Sequence, residues 1–215
     1  MTKQKSANPV QTPDALSGKM DDFYKAINHV NHLACVLVTT SYLEQCLATL
    51  LRQFFIAGAS TAETIFDYTK NGLLTEISAR SKMAYCLGLI DKQAFTNLNT
   101  IGNIRNRFAH THPELTFDDA QIKGFCKDLK LPPISGGVKV DESGSSPLTQ
   151  KEFETPYEDD PKRKYMLIAA ITANKILVKA MTTMRCNQKV PATLNQALID
   201  PPELTKSPPD PSEPQ

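Results

Sequence analysis

A chain of 215 residues has room for one domain with appendages, or for two small ones. Its 24 Lys+Arg and 23 Asp+Glu nearly cancel, which argues against a protein that holds duplex DNA by bulk positive charge. Hydrophobic residues at 40% suffice for a packed core, and nine glycines with no tryptophan fit a helical protein better than a turn-rich β one. The 15 prolines mark edges: Pro113 alone falls within residues 20–131, and six fall within residues 201–215. Cys35, Cys46, Cys86, Cys126 and Cys186 stand singly, without metal-ligand spacing to one another or to a histidine. They read as small hydrophobes in a reducing cytoplasm, with no metal and no cofactor implied.

Residues 1–19 are polar, lack the apolar run of a signal peptide and read as a disordered arm. From Phe23 the apolar or small residues Ile27, Val30, Ala34, Leu37, Ser41, Ala48, Leu51 and Phe55 follow in steps of four and three or their sums, which predicts one long helix. The uncharged residues 26–43 carry too many amides, histidines and hydroxyls for a membrane span. Glu44 falls on the apolar seam, so it is paired, faces a cavity, or reaches solvent on a slightly rotated helix. Ser60 and Glu63 form a capping box for a short helix stopping at Asn71-Gly72. A helix from about Leu74 to Leu87 follows, with Gly88 at its C-terminal cap. Asp91 caps the next, which carries Phe95, Leu98, Ile101 and Phe108 on one side and ends between His110 and Pro113. Asp119 opens another, with a stripe of Ile122, Phe125 and Leu129.

Residues 132–160 read as a long loop, and residues 141–160 hold seven acids and one lysine. Asp160-Pro161 caps a last helix with Met166, Ala170, Ala173, Leu177, Ala180 and Met184. Residues 161–190 carry seven basic side chains and no acid, a face that either follows a nucleic-acid backbone or receives the acidic loop. Residues 191–215 read as a disordered, proline-rich tail. The expected architecture is an all-α bundle of five or six helices over residues 20–190.

One constellation carries chemistry: Arg105-Asn106-Arg107-Phe108-Ala109-His110. Asn106 and His110 share a helix face, whereas Arg105 lies about 140° from His110 on an ideal helix. The three converge only if the last turn loosens near Pro113 or a second subunit supplies part of the set. A histidine that exchanges protons, a guanidinium that holds a phosphate and an amide that orients either one suit cleavage of RNA without a metal. Arg107 adds local positive charge. The plain alternative is that Arg105 pairs with Glu44 or another acid while His110 caps the helix end.

Arg105-Asn106-x-x-x-His110 resembles the signature of the HEPN superfamily, many of whose members are metal-independent endoribonucleases working as homodimers. The resemblance implies catalytic roles for Arg105 and His110 and a supporting one for Asn106. A wider stretch runs through Gly72-Leu73-Leu74, Arg80-Ser81-Lys82-Met83-Ala84-Tyr85-Cys86-Leu87-Gly88-Leu89-Ile90, Arg105, His110 and Leu115-Thr116-Phe117-Asp118-Asp119. With Ser41-Tyr42-Leu43-Glu44 it resembles the mannitol operon repressor (MltR-like) family over residues 36–131. That resemblance implies an all-α transcriptional regulator without a recognisable DNA-reading motif, and a buried Glu44–Arg80 pair supporting the Arg105–His110 region. Asn106, which some members lack, moves this chain toward the nuclease pattern.

Two functions follow. The first is a cytoplasmic, homodimeric endoribonuclease or RNA-binding protein in a toxin, stress or defence role, with RNA and an antitoxin or regulator protein as partners. The alternative is a regulator acting through protein contacts without catalysis. Neither involves a membrane or direct duplex DNA binding.

Overall fold

The computed structural model describes residues 12–55, 63–110, 115–131, 138–141, 144–147, 151, 156–157 and 159–183. Among these, seven α-helices are defined end to end: α1 (Pro13–Ser17), α2 (Met20–His29), α3 (His32–Arg52), α4 (Ile77–Cys86), α5 (Lys92–His110), α6 (Ala120–Asp128) and α7 (Pro161–Thr182). A 3-10 turn at Tyr68–Lys70 precedes α4, and β1 (Val138–Asp141) pairs antiparallel with β2 (Gly144–Pro147). The all-α expectation holds, with this ribbon inside the segment read as loop. Six of the helices have nine or more residues, and α1 lies in the segment read as a disordered arm. Leu16 anchors it: the side chain is buried, and its carbonyl accepts a hydrogen bond from Tyr42 Oη at 2.8 Å.

The long N-terminal helix expected from Phe23 to Phe55 is two helices. Val30 (ψ 164°) and Asn31 (ψ 167°) are extended, and the Asn31 side chain caps α3 by accepting from Ala34 N at 2.8 Å. Once the chain reverses there, α2 lies back along α3, and Phe23 stacks on Tyr42 with ring centroids 4.2 Å apart. The four-and-three spacing ran through the break because each helix separately presents an apolar stripe to the core. The stripe of α3 also differs from the one expected: Leu37 and Ser41 are exposed, whereas Val36, Leu43, Cys46, Leu47, Leu50 and Leu51 are buried.

α3 is the axis of the bundle, packed by α2, α4, α5 and α7. α7 brings Ala169, Ala173 and Ala180 to buried positions, and such small side chains permit close helix approach. Tyr165, Phe117 and Phe108 form an aromatic cluster where α5, α7 and the segment before α6 meet. α3 and α7 are long and apolar enough to cross a membrane by length and composition, with 61% and 50% of those windows buried inside the bundle. Their apolarity is used in the core.

The local start signals hold. Asp91 accepts from Ala94 N, Asp119 from Gln121 N and Asp160 from Arg163 N. α4 begins at Ile77, three residues later than expected, after a turn at Gly72 where Leu74 N bonds Ile65 O at 2.8 Å. Ile122 and Leu129 are buried as expected of the α6 stripe, joined by Cys126, while Phe125 is half-buried. Ser60, Pro113, most of the acidic loop, Met184 and the proline-rich tail lie outside the described residues.

The basic start of α7 does not present a free cationic face. Lys162 Nζ donates to Val30 O and Lys164 Nζ to Lys127 O, each at 3.3 Å, and the Arg163 guanidinium lies over the Tyr157 ring. The two lysines thus satisfy carbonyls at the C-terminal ends of α2 and α6, which have no partner within their own helices.

Candidate functional site

α5 positions the residues singled out from the sequence. Its stripe Leu98, Ile101, Ile104 and Phe108 is buried, which rotates Arg105 and Asn106 toward one flank. Arg105 is half-buried, and its Nη1 donates to Asn106 Oδ1 at 3.1 Å. Arg107 and His110 are exposed.

α3 supplies Glu44 from the facing side. It is half-buried, and Oε1 accepts from Ile77 N, the first helical N–H of α4, at 3.1 Å. Glu76, at the N-cap, makes no side-chain capping bond, so the cap of α4 comes from another helix. Arg80 is buried, with Nε donating to Leu74 O and Nη1 to Glu44 O, both at 2.7 Å. Glu44 and Arg80 do meet, but through the backbone: the guanidinium binds the main-chain carbonyl of Glu44, while the carboxylate caps α4. A guanidinium has five donors and no acceptor, so it suits the Leu74 carbonyl and the second lone pair of the Glu44 carbonyl, which already serves the α3 ladder. Burial raises the pKa of Glu44 above the ordinary carboxylate value, opposed by the charges of Arg80 and Arg105 and by the Ile77 N–H. Burial likewise lowers that of Arg80, opposed by the charge of Glu44.

α3, α4 and α5 enclose a recess of about 360 Å³. Its apolar part is Ile77, Leu98 and Gly102, and its polar walls are Glu44, Glu76, Ser78, Lys82, Asn99, Asn103, Arg105 and Asn106. Gly102 faces α4, where a Cβ would stand in ordinary contact with Ile77 Cγ2 at 3.4 Å. Asn99 and Asn103 were not singled out in the sequence, although their spacing of four and three to Asn106 is a legible signal of amides along one helix face. A second, open concavity of about 560 Å³ between α1–α2 and α3 is walled mostly by apolar groups, including Leu16, Phe23, Leu37, Val38 and Tyr42. Convergent polar groups make the first of the two the candidate site.

The structure does not assemble the expected catalytic trio. α5 stays helical through His110, so the last turn does not loosen, and Arg105 and His110 point about 140° apart. Arg105 and Asn106 line the recess; His110 and Arg107 do not. Of the supporting residues, Glu44 lines it, and Arg80 lies behind it on the Glu44 backbone. Among the described residues, the group facing Arg105 across the recess is the Glu44 carboxylate rather than the expected histidine.

The comparisons agree with this geometry. No curated protein matches the chain. A chain of the X-ray structure of the MtlR–HPr complex from Escherichia coli is similar in fold, with a TM-score of 0.52 and 20% identity over 74% of this chain and 98% of that one. The family model for the mannitol repressor, MtlR, matches residues 19–199. These findings overturn the endoribonuclease reading in favour of its alternative, and lend no support to the antitoxin and RNA expectations attached to it. With 181 of 215 residues matched (19 through 199), the chain belongs to the mannitol repressor family.

Proposed function

We propose that the chain is a cytoplasmic transcriptional regulator that acts by binding a protein partner and performs no bond-breaking step of its own. The family match across residues 19–199 carries this reading. Three physical observations support it. The residues that would have cleaved RNA diverge along α5, the basic start of α7 is turned onto backbone carbonyls, and the net charge of +1 gives no bulk attraction for duplex DNA. The similar fold in the complex of MtlR with HPr suggests the kind of partner. The test is calorimetric titration of the full chain with HPr from the same cells, alongside transcript levels of the mannitol operon in a deletion strain. Saturable binding near micromolar Kd, about −8 kcal/mol, with altered operon transcription is expected. Absence of both overturns the proposal. Light scattering on the same sample reads whether the chain also pairs with itself.

A further inference from the structure

We propose that the recess between α3, α4 and α5 is a binding site for a small, electrically neutral, polyhydroxylated compound. This goes beyond the regulator reading, because a protein partner can be bound elsewhere whether or not the recess is filled.

The argument starts from charge. The recess holds two carboxylates, Glu44 and Glu76, and two cations, Lys82 and Arg105. An anionic ligand would meet the carboxylates, and a cationic one would meet Arg105 and Lys82, so either desolvates against a like charge. A neutral ligand meets neither penalty. The depth of each group sharpens this. Glu76 and Lys82 are exposed at the rim, while Glu44, Arg105 and Asn99 are half-buried farther in. The inner groups thus offer a carboxylate acceptor, a guanidinium donor and an amide that does both.

Hydroxyl groups are the ligand atoms that fit such a set, since each both donates and accepts. Adjacent hydroxyls can donate to a carboxylate and accept from a guanidinium beside it. Asn103 and Asn106, one and two turns beyond Asn99 on α5, extend the same pattern outward. Ile77, which is 5% exposed, offers a small apolar contact for the C–H face of the ligand, with the buried Leu98 and Gly102 behind it. The volume of about 360 Å³ falls in the range of small-molecule sites, roughly 300–1,000 Å³.

The test uses the full chain and four probes: a hexitol, its phosphate ester, an amino acid zwitterion and inorganic phosphate. Protein-observed NMR titration reads the amides of Asn99, Asn103 and Asn106. The hexitol is expected to shift these signals saturably at concentrations below about 10 mM, the range of weak specific sites. Asn103→Ala, at an exposed position that leaves the core intact, is expected to weaken that binding tenfold or more. Glu44→Gln, which keeps an acceptor for Ile77 N, is expected to weaken it with the thermal midpoint unchanged. The proposal is overturned if the hexitol produces no saturable shift, if Asn103→Ala binds it as well as the natural chain does, or if the charged probes bind more tightly. Loss of HPr binding in a chain that still binds the hexitol would count against the regulator reading and leave this one standing.

Discussion

Arg80 and Glu44 show how two charged side chains are tolerated at the centre of a bundle. Arg80 is 8% exposed, and its forked donors satisfy two carbonyls on different segments. Replacing it with Met leaves the Leu74 carbonyl without a partner, while the Glu44 carbonyl keeps its place in the α3 ladder, and is expected to cost about 1–3 kcal/mol, read as a lower urea midpoint. Arg80→Lys should recover little, because an ammonium cannot span the two carbonyls in that geometry; a midpoint equal to that of the natural chain would contradict this. Glu44 gives a pH signature. Its folded pKa lies above the 4.5 of an unperturbed glutamate, so the folded state holds the proton more tightly. Its contribution to stability is therefore full below that value and is lost as pH rises through the folded pKa. Glu44→Gln should remove that part of the slope, measured by urea unfolding at successive pH values, and should not lower stability at pH 7. Glu44 stood out in the sequence as a charge on an apolar seam, and Arg80 entered through the family resemblance. Their bonding was not legible, because which carbonyls face Arg80 depends on where α4 docks against α3, a tertiary fact.

At the scale of elements, local chemistry was easy to read and chain reversal was not. Asp91, Asp119 and Asp160 start helices because a short carboxylate accepts from an N–H two or three residues ahead, a bond that needs no tertiary partner. The break at Val30-Asn31 was hidden, because a continuing apolar period is the same for one long helix and for two antiparallel ones. In the same way, the amide stripe Asn99, Asn103, Asn106 was present in the spacing, yet its facing wall comes from α3 and α4, far away in sequence. The turn before α4 makes its own prediction. A Cβ on Gly72 would run into the carbonyl oxygens of Ile65 and Thr64, so the backbone must shift to admit it. Gly72→Ala is expected to destabilise by about 1–3 kcal/mol, visible as a drop in the thermal midpoint. An unchanged midpoint would mean that the turn relaxes freely.

For the whole molecule, burial sorts the thiols. Burial pushes Cys35 up to about 11 and Cys46 and Cys126 up to about 12, whereas Cys86 is exposed. The reactive species is the thiolate, so iodoacetamide on the native protein at pH 8 should label Cys86 well before those three. Peptide mapping by mass spectrometry checks this, and equal rates would show that the bundle opens readily. The order in which the ribosome delivers the helices adds a further constraint. α7 is the last of the described helices to be made, yet it packs on α1, α2, α3, α5 and α6, and its lysines close the ends of α2 and α6. The earlier helices can cover one another in part, but the faces that pack on α7 stay open until residue 182 is available. The core therefore closes only when most of the chain has been made, which places its completion late in synthesis.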